Sequence, residues 1–279
     1  NTLQLSIVSS FFPFLITLLL FVLLFHNLQS LNILLLLLFW TSCYLLDELR
    51  IRKTKDLVNS VFKNPKKWLD IGSAHGEMIY FLANIYKNTQ FIGIDITKDF
   101  INTAKKLNKK YNNAEFHTKN IFNINKKKFK SNVVTCLGTF QIFPYPEKLL
   151  DALLNLVDEG GLLVIDGRFN SHDVSAIIKY KDDSTKASKN LWRCDFNLHS
   201  ELWIKDIISK RSDVKKISFH YPVMDTKIPK RKNAPDINTW TVPRKNGGYD
   251  LVNGLNSLIN PSFLVVKKKW NLSPYYCEL

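Results

Sequence analysis

A glycine-containing turn between an apolar run and an amphipathic run is the first place where residue types and spacing suggest chemistry. Residues 68–81 read WLDIGSAHGEMIYF, so Asp70, Gly72, Ala74 and Gly76 follow the apolar run at close spacing. Glycines at such a turn let the backbone bend tightly and let a ligand approach it. In an open parallel sheet, ligands bind beyond the carboxyl ends of the strands. The segment therefore predicts a ligand-binding loop, with Asp70 close to a positively charged group of the ligand.

The spacing favours a nucleoside without phosphates over a dinucleotide. The dinucleotide fingerprint G-x-G-x-x-G needs three glycines, but Gly72, Ala74 and Glu77 occupy its three places. Asp95 ends the next apolar run, FIGIDIT, nineteen residues after Gly76. A carboxylate at that position can accept both hydrogen bonds of a ribose diol.

These features in order resemble class I S-adenosylmethionine-dependent methyltransferases. WLDIGSAHG is similar to the first motif of that family, and the resemblance extends over roughly residues 60–220, through NVVTCLGTFQIFPYPEKLLDALLNLVDEGGLLVIDG, and resumes at the last strand. It implies S-adenosyl-L-methionine as the cofactor, with Asn120 near the adenine amino group and Ile121 beside the ring. The cofactor-binding residues that it implies are Asp70, Gly72, Ala74, Gly76, Asp95, Ile96, Asn120, Ile121 and Leu137. The family usually has glycine where Ala74 stands, and we expect a methyl group to be tolerated there if the local φ is negative.

The catalytic residue is harder to predict, because the sulfonium methyl is already activated and proximity carries much of the rate. Candidates include Gln141 and His172 near the carboxyl edge of the sheet, and Arg193, Asn197 or His199 in the stretch WRCDFNLHSEL before a predicted helix. His199 also precedes Ser200 and Glu201, a pattern typical of a helix cap, so a structural role is an alternative for it. The four cysteines form no CxxC pair, and no metal site is predicted.

Strands alternate with helices from Lys67 onward, which predicts an α/β fold with a doubly wound, Rossmann-like sheet. We expect the sheet to be mostly parallel, with an antiparallel last strand. The predicted strands are Lys67–Ile71, Phe91–Asp95, Glu115–Thr118, Asn132–Leu137, Gly161–Asp166, Lys216–Tyr221 and Phe263–Lys267, and the main helices are Gly76–Lys87, Lys98–Tyr111, Pro146–Val157 and Glu201–Lys210. Residues 222–262 form a long connection in which Lys245-Asn246-Gly247-Gly248 predicts a hairpin turn.

The first 46 residues contain no Lys, Arg, Asp or Glu. As helices, the apolar segments 5–25 and 31–46 would be roughly 32 Å and 24 Å long, compared with about 30 Å for a bilayer core. We therefore expect an all-α transmembrane hairpin, with one or both segments spanning, in front of a methyltransferase domain at 47–279. A buried core hairpin is disfavoured because neither segment has a polar face. Basic residues follow directly after the second segment, which predicts that 47–279 lies on the cytoplasmic side.

The chain carries 39 Lys and Arg against 24 Asp and Glu, a formal net charge of +15. Such a surface suits anionic lipid or nucleic acid, or is simply solvated. We expect a membrane-tethered methyltransferase acting on a small, glycan or lipid-linked acceptor, because tethering concentrates it near membrane-held substrate. One alternative is an RNA methyltransferase, suggested by Lys105, Lys106, Lys109, Lys110 and Lys126–Lys128 but less favoured beside an anchor. Another is a non-catalytic membrane-bound module with the same fold.

Overall fold

The computed structural model of the protein describes residues 50–171, 173–181, 192–221, 227–229, 239–253 and 262–269. The chain divides into two compact units, Asn1–Arg52 and Lys53–Leu279. The predicted apolar segments 5–25 and 31–46 lie outside the described residues. Within the described ranges, no helix combines the length and the apolar character needed to cross a membrane.

A seven-stranded sheet forms the centre of the second unit. Its strands are β1 (Lys67–Ile71), β2 (Gln90–Asp95), β3 (Ala114–Thr118), β4 (Ser131–Cys136), β5 (Val157–Gly167), β10 (Val214–His220) and β13 (Ser262–Lys268). Shorter strands outside it are β6 (Phe169–Asn170), β7 (Lys179–Tyr180), β8 (Arg193–Cys194), β9 (His199–Ser200), β11 (Thr239–Pro243) and β12 (Tyr249–Asn253). The order in the sheet is β10-β13-β5-β4-β1-β2-β3.

The pairing confirms the prediction of a mostly parallel sheet with an antiparallel last strand. All neighbours from β5 to β3 are parallel, whereas β13 is antiparallel to both β5 and β10. The chain builds outward from β1 to β3 and then returns to β4 on the other side of β1. The strand order therefore reverses between β1 and β4, and a ligand is expected beyond their carboxyl ends.

Helices cover both faces of the sheet. They are α2 (Glu77–Ala83), α3 (Lys98–Leu107), α4 (Lys126–Phe129), α5 (Glu147–Leu154) and α6 (Glu201–Ser209). A further helix, α1 (50–59), precedes them and crosses the boundary between the two units. On one face, Leu69 and Ile71 pack in a core with side chains from α4, α5 and α6. The alternate β1 residue Trp68 lies on the other face, where its ring contacts Tyr86 directly after α2. Both faces of the strands are thus apolar, as a sheet covered on two sides requires.

Two predicted boundaries were wrong at the turn before β5. The helix predicted over Pro146–Val157 ends at Leu154, and β5 begins at Val157 rather than at Gly161. Gly160 has φ +67 and lies within this strand, not in a turn that precedes it. The ladder to β4 jumps from Ser131↔Val157 to Val133↔Leu162, so the glycine pair forms a bulge. Without a Cβ, Gly160 adopts the left-handed backbone that the bulge needs.

Residues 168–200, called here the β5–α6 segment, follow the carboxyl end of β5. Within the described part of it, β6 pairs with β9 and β7 with β8, each over two residues. Sequence periodicity did not predict these pairs, because two residues are too few to show alternation. The predicted hairpin is confirmed: β11 and β12 are antiparallel, and Arg244 N–H donates to the carbonyl of Gly248 across the turn.

Candidate functional site

The glycine-containing loop between β1 and α2 is bound to the end of β2. The N–H groups of Gly72 and Ser73 both donate to the carbonyl of Ile94, at 2.8 and 3.1 Å. Gly72 and Gly76 have φ of +77 and +78, a region in which residues with a Cβ are strained. A Cβ at Gly72 would lie 2.1 Å from the hydroxyl of Thr139, on the loop after β4. The loop therefore needs glycine at position 72 both for its backbone and for its packing.

Ala74 does not meet the condition under which a methyl group would be tolerated there. Its φ is +44, so its backbone lies in the left-handed region, where a residue with a Cβ is strained. An L-residue with a Cβ pays about 1–2 kcal/mol there relative to the right-handed region. In this conformation the N–H of Ala74 donates to Asp95 Oδ2 at 3.1 Å.

Asp95 joins the ends of β1 and β2. Besides the bond from Ala74, its Oδ1 accepts from the N–H of Thr97 at 2.8 Å. The side chain is half-buried, and each oxygen uses one hydrogen bond, which leaves further acceptor positions on both. A carboxylate oriented in this way can receive the two hydroxyls of a ribose.

Asp70 ends β1 with a buried carboxyl group. The hydroxyl of Thr135, on β4, donates to its Oδ1 at 2.8 Å. Burial raises the pKa of Asp70 to about 7, with smaller contributions from the charges of Asp95 and Glu77, while the bond from Thr135 acts in the opposite direction. An acid that titrates near neutrality responds strongly to a nearby ammonium group, which would favour its charged form.

The other predicted cofactor residues lie after the neighbouring strands. Asn120 follows β3, and its side chain accepts from the N–H of Phe122 at 3.0 Å, so that it caps the 3-10 turn Ile121–Asn123. Ile121 packs against the core, and Ile96, next to Asp95, is 68% exposed. Leu137 follows β4. Their contact with the cofactor stays a prediction, but all of them follow the carboxyl ends of β2, β3 or β4.

Gln141 lies between the cofactor loop and the β5–α6 segment. Its side chain donates to the carbonyl of Gly138 at 3.0 Å. Its own carbonyl accepts from the side chain and the backbone of Asn197, at 2.8 and 3.1 Å. Thr139, two residues before Gln141, contacts Gly72. Residues 138–141 therefore connect the glycine loop to Asn197.

His199 is fully buried. Its Nε2 lies 3.1 Å from the carbonyl of Phe143, and its ring contacts Phe140 and Trp203. Burial lowers the pKa of His199 to about 4, so the ring is neutral at physiological pH. This environment favours a packing role. The neighbouring cap is as the pattern suggested, since Ser200 Oγ accepts from the N–H of Trp203 at 3.1 Å. His172 lies outside the described residues.

Thr135 and Thr139 are site residues that the sequence analysis missed. Both contact predicted cofactor residues, Thr135 by hydrogen bonding to Asp70 and Thr139 by packing on Gly72. The sequence offered one signal for Thr135, a single hydroxyl in the otherwise apolar strand segment VVTC. In the structure this residue is fully buried. Its partner could not be identified without the strand order.

The donors and acceptors at this edge fit S-adenosylmethionine. Asp95 offers acceptors for a ribose, Asp70 a carboxylate for an ammonium group, and the loop a close backbone approach. Ser73 Oγ points inward: it is buried without a hydrogen-bond partner among the described residues, and it lies 2.9 Å from the position that a Cβ on Gly93 would take.

Strand order, glycine loop and paired acids together define a Rossmann-like methyltransferase. A family model described as a methyltransferase domain matches residues 62–219, more than half of the sequence, and the chain belongs to this family. S-adenosylmethionine is its cofactor, in keeping with this family and with the carboxylates of Asp70 and Asp95 at the edge of the sheet.

The individual relatives cover different parts of the chain. The tRNA (guanine-N(7)-)-methyltransferase of Prochlorococcus marinus subsp. pastoris is 31% identical over 130 residues, 39% of this chain and 60% of that protein. The plantazolicin methyltransferase BpumL, solved with a desmethylPZN analog and SAH, aligns with a TM-score of 0.51 and 17% identity over 80% of this chain and 83% of its own, which shows the shared fold. PKMT2 from Rickettsia typhi, solved with AdoHcy, is 26% identical over 37% of this chain and 21% of its own, with a TM-score of 0.36. The chain thus spans less than two thirds of the tRNA enzyme and about a fifth of PKMT2.

Proposed function

We propose that this chain transfers the methyl group of S-adenosylmethionine to a small, glycan or lipid-linked acceptor held at the cytoplasmic face of a membrane. The absence of charged residues from positions 1–46 supports tethering. The basic residues Arg50, Arg52, Lys53 and Lys55 follow, and they favour a cytoplasmic location for the rest of the chain.

The observation that carries the choice of acceptor is the β5–α6 segment beside the cofactor loop. Large apolar side chains are exposed on the chain after β4 and on this segment: Ile142, Tyr145, Val174, Ile177 and Trp192. An acceptor with an apolar portion would bury such surface on binding.

Within this function, the residues of the chain bind and orient the reactants. Asp95 and Asn120 would hold the ribose and the adenine, and Asp70 the ammonium group. When bound, the cofactor supplies a methyl group already activated by the sulfonium, so alignment of the acceptor carries much of the rate. A hydroxyl acceptor would also need a base. Gln141 lies at the carboxyl edge of the sheet, where it could position an acceptor. His199 is buried and neutral, and is better suited to holding the β5–α6 segment in place.

The test uses the full chain, membrane extracts and S-adenosylmethionine labelled on its methyl group. We expect the label in a lipid-extractable or small-molecule fraction, and its loss in Asp95→Ala. Replacing the exposed Asp99, in the first turn of α3, with alanine is the matched control and should leave transfer unchanged. The acceptor proposal would be refuted by label found only in RNA, and catalysis itself by normal cofactor binding with no label in any fraction.

A second candidate function, methylation of RNA, is favoured by the tRNA-modifying relative and by one region of charge. Residues 98–130 contain ten lysines and only two acidic residues, Asp99 and Glu115. All ten lysines are exposed, and they flank β3, the edge strand of the sheet. At the amino end of β2 and β3, a cavity of about 390 Å³ is lined by Ala83, Asn84, Lys87, Lys110, Tyr111, Asn112 and Asn113, a set without carboxylates. Lysines and hydrogen-bond donors of this kind suit phosphate groups.

RNA binding by these lysines can be tested by its salt dependence. If RNA is the acceptor, affinity for a tRNA should fall steeply with salt, with a logarithmic slope of about 0.7–0.9 per neutralised phosphate. Lys109→Ala/Lys110→Ala should reduce that slope, and Lys148→Ala, an exposed lysine of α5, should not. A slope near zero would rule out this candidate.

A further inference from the structure

Three buried side chains form a continuous row of hydrogen bonds beneath the cofactor loop. The indole Nε1 of Trp68 lies 3.1 Å from Thr135 Oγ1, and Thr135 Oγ1 lies 2.8 Å from Asp70 Oδ1. Trp68 and Thr135 have no exposed surface, and Asp70 has 4%. Trp68 and Asp70 alternate on β1, so both project to the same face of the sheet, where β4 supplies Thr135.

The chemistry of these groups fixes the direction of the bonds. An indole N–H can only donate, so Thr135 Oγ1 accepts from Trp68. The single hydroxyl proton of Thr135 can then go to Asp70 at 2.8 Å or to the carbonyl of Leu69 at 3.3 Å, and the shorter bond is to the carboxyl group. Asp70 thereby receives a donor inside the core, which favours its charged form.

The remaining surroundings of Asp70 favour the neutral form. Burial is the largest contribution, and the carboxylates of Asp95 on β2 and Glu77 in α2 add to it, so that the pKa is about 7. On β4, the thiol of Cys136 stays neutral because burial raises its pKa far above the usual range. Within these surroundings, the protonation state of Asp70 depends on the hydrogen bond from Thr135 and on the charge of the bound ligand.

We propose that Thr135 is a positioning residue for the cofactor: oriented by the Trp68 indole, its hydroxyl holds Asp70 as the acceptor for the ammonium group of the ligand, and binding releases a proton from Asp70. The released proton goes to the buffer, and no bond of the cofactor changes in this step. This inference rests on the cofactor assignment and is independent of the acceptor.

The test is calorimetric titration of S-adenosylhomocysteine into the full chain, in buffers of different ionisation enthalpy. Near neutral pH, we expect wild-type protein to release protons on binding, in a number that falls as the pH rises, because burial raises the pKa of Asp70 to about 7. Asp70→Asn should release none. Thr135→Val should release more and bind about fivefold more weakly at pH 7 if the pKa rises by one unit.

A conservative variant separates positioning from damage to the fold. Thr135→Ser keeps the hydroxyl and should restore the wild-type proton count. The difference in affinity between Thr135→Val and wild type should shrink toward pH 8.5, where Asp70 is ionised in both, whereas a distorted site would stay weak at every pH. Titration of the ligand itself is common to all variants and cancels in these ratios.

Three results would overturn the inference. They are a wild-type proton count of zero at pH 7, an unchanged count in Asp70→Asn, and identical pH profiles for Thr135→Val and wild type. Lack of any binding by folded wild-type protein would instead overturn the cofactor site, and the inference with it.

Discussion

The two halves of the carboxyl edge are built in different ways. On the side of β1 to β3, the loops are fixed by short-range backbone geometry: the positive φ angles at 72, 74 and 76, and the bonds from the N–H groups of Ala74 and Thr97 to Asp95. On the side of β5, the β5–α6 segment is fixed by side chains far apart in sequence, such as Asn197 on Gln141 and His199 on Phe143. In the proposed function, the first half binds the cofactor and the second faces the acceptor. A change in the first half should therefore affect the cofactor, and a change in the second should affect turnover and local stability.

The largest effect is expected at Gly72, where the cofactor loop packs against Thr139 on the loop after β4. Gly72→Ala combines a disfavoured φ with a Cβ 2.1 Å from the Thr139 hydroxyl. We expect a loss of about 4 kcal/mol in the free energy of unfolding, made of strain and overpacking, together with weaker cofactor binding. Urea unfolding measures the first quantity and calorimetry the second. Adding Thr139→Gly should recover only the packing part of the loss; full recovery would show that φ at position 72 is unimportant.

The acceptor half should be sensitive to acid through His199. Its pKa in the folded protein is about 4 against an ordinary value of 6.5, so the unfolded chain takes up a proton first as pH falls. The contribution of His199 to the free energy of unfolding is complete above pH 6.5. It falls by roughly 3 kcal/mol as the pH is lowered toward 4. Urea unfolding at a series of pH values should show this slope in wild type and lack it in His199→Gln. Equal slopes in both proteins would place the acid sensitivity elsewhere.

Asn197→Ala should separate the halves most cleanly. The side chain is fully buried, donates to the carbonyl of Gln141 and accepts from the N–H of Ile178 at 2.9 Å. Removing it leaves the Ile178 N–H without that acceptor, and we expect a loss of about 2 kcal/mol in stability. Methyl transfer should fall, while the dissociation constant for S-adenosylhomocysteine stays within about twofold. A large change in that constant would contradict the division between the halves.

The smallest effect is a gain. Ala74→Gly removes a Cβ from a residue with φ +44, and the greater freedom of glycine in the unfolded chain offsets part of the benefit. We expect about 0.5–1 kcal/mol of added stability, with the bond to Asp95 retained. Thermal unfolding with and without the cofactor measures this gain in stability. Lower stability would show that packing of the Ala74 methyl group stabilises the fold by more than the backbone strain costs.

The same division explains what the sequence could predict. The glycine loop, Asp95 and the central strands are local patterns, and their prediction needed only apolar periodicity and turn chemistry. Thr135 was missed because its partner comes from a strand 65 residues away. The two-residue strands β6 to β9 carry no periodicity, and the burial of His199 depends on Phe140 and Trp203, which come from different elements. The bulge at Gly160 was read as a turn because glycine pairs mark both.

The position of β13 has a consequence for folding during synthesis. This strand, residues 262–268, lies between β5 and β10, and its Lys268 pairs with Asp213 just ahead of β10 at 2.8 Å. The ribosome completes β5 about 100 residues earlier, which at roughly 5–20 residues per second is about 5–20 s. During that interval β1 to β5 can assemble, but β5 presents an unpaired apolar edge and β10 has no place in the sheet. A nascent chain of this protein is therefore most exposed to strand-mediated aggregation in the seconds before its last strand emerges.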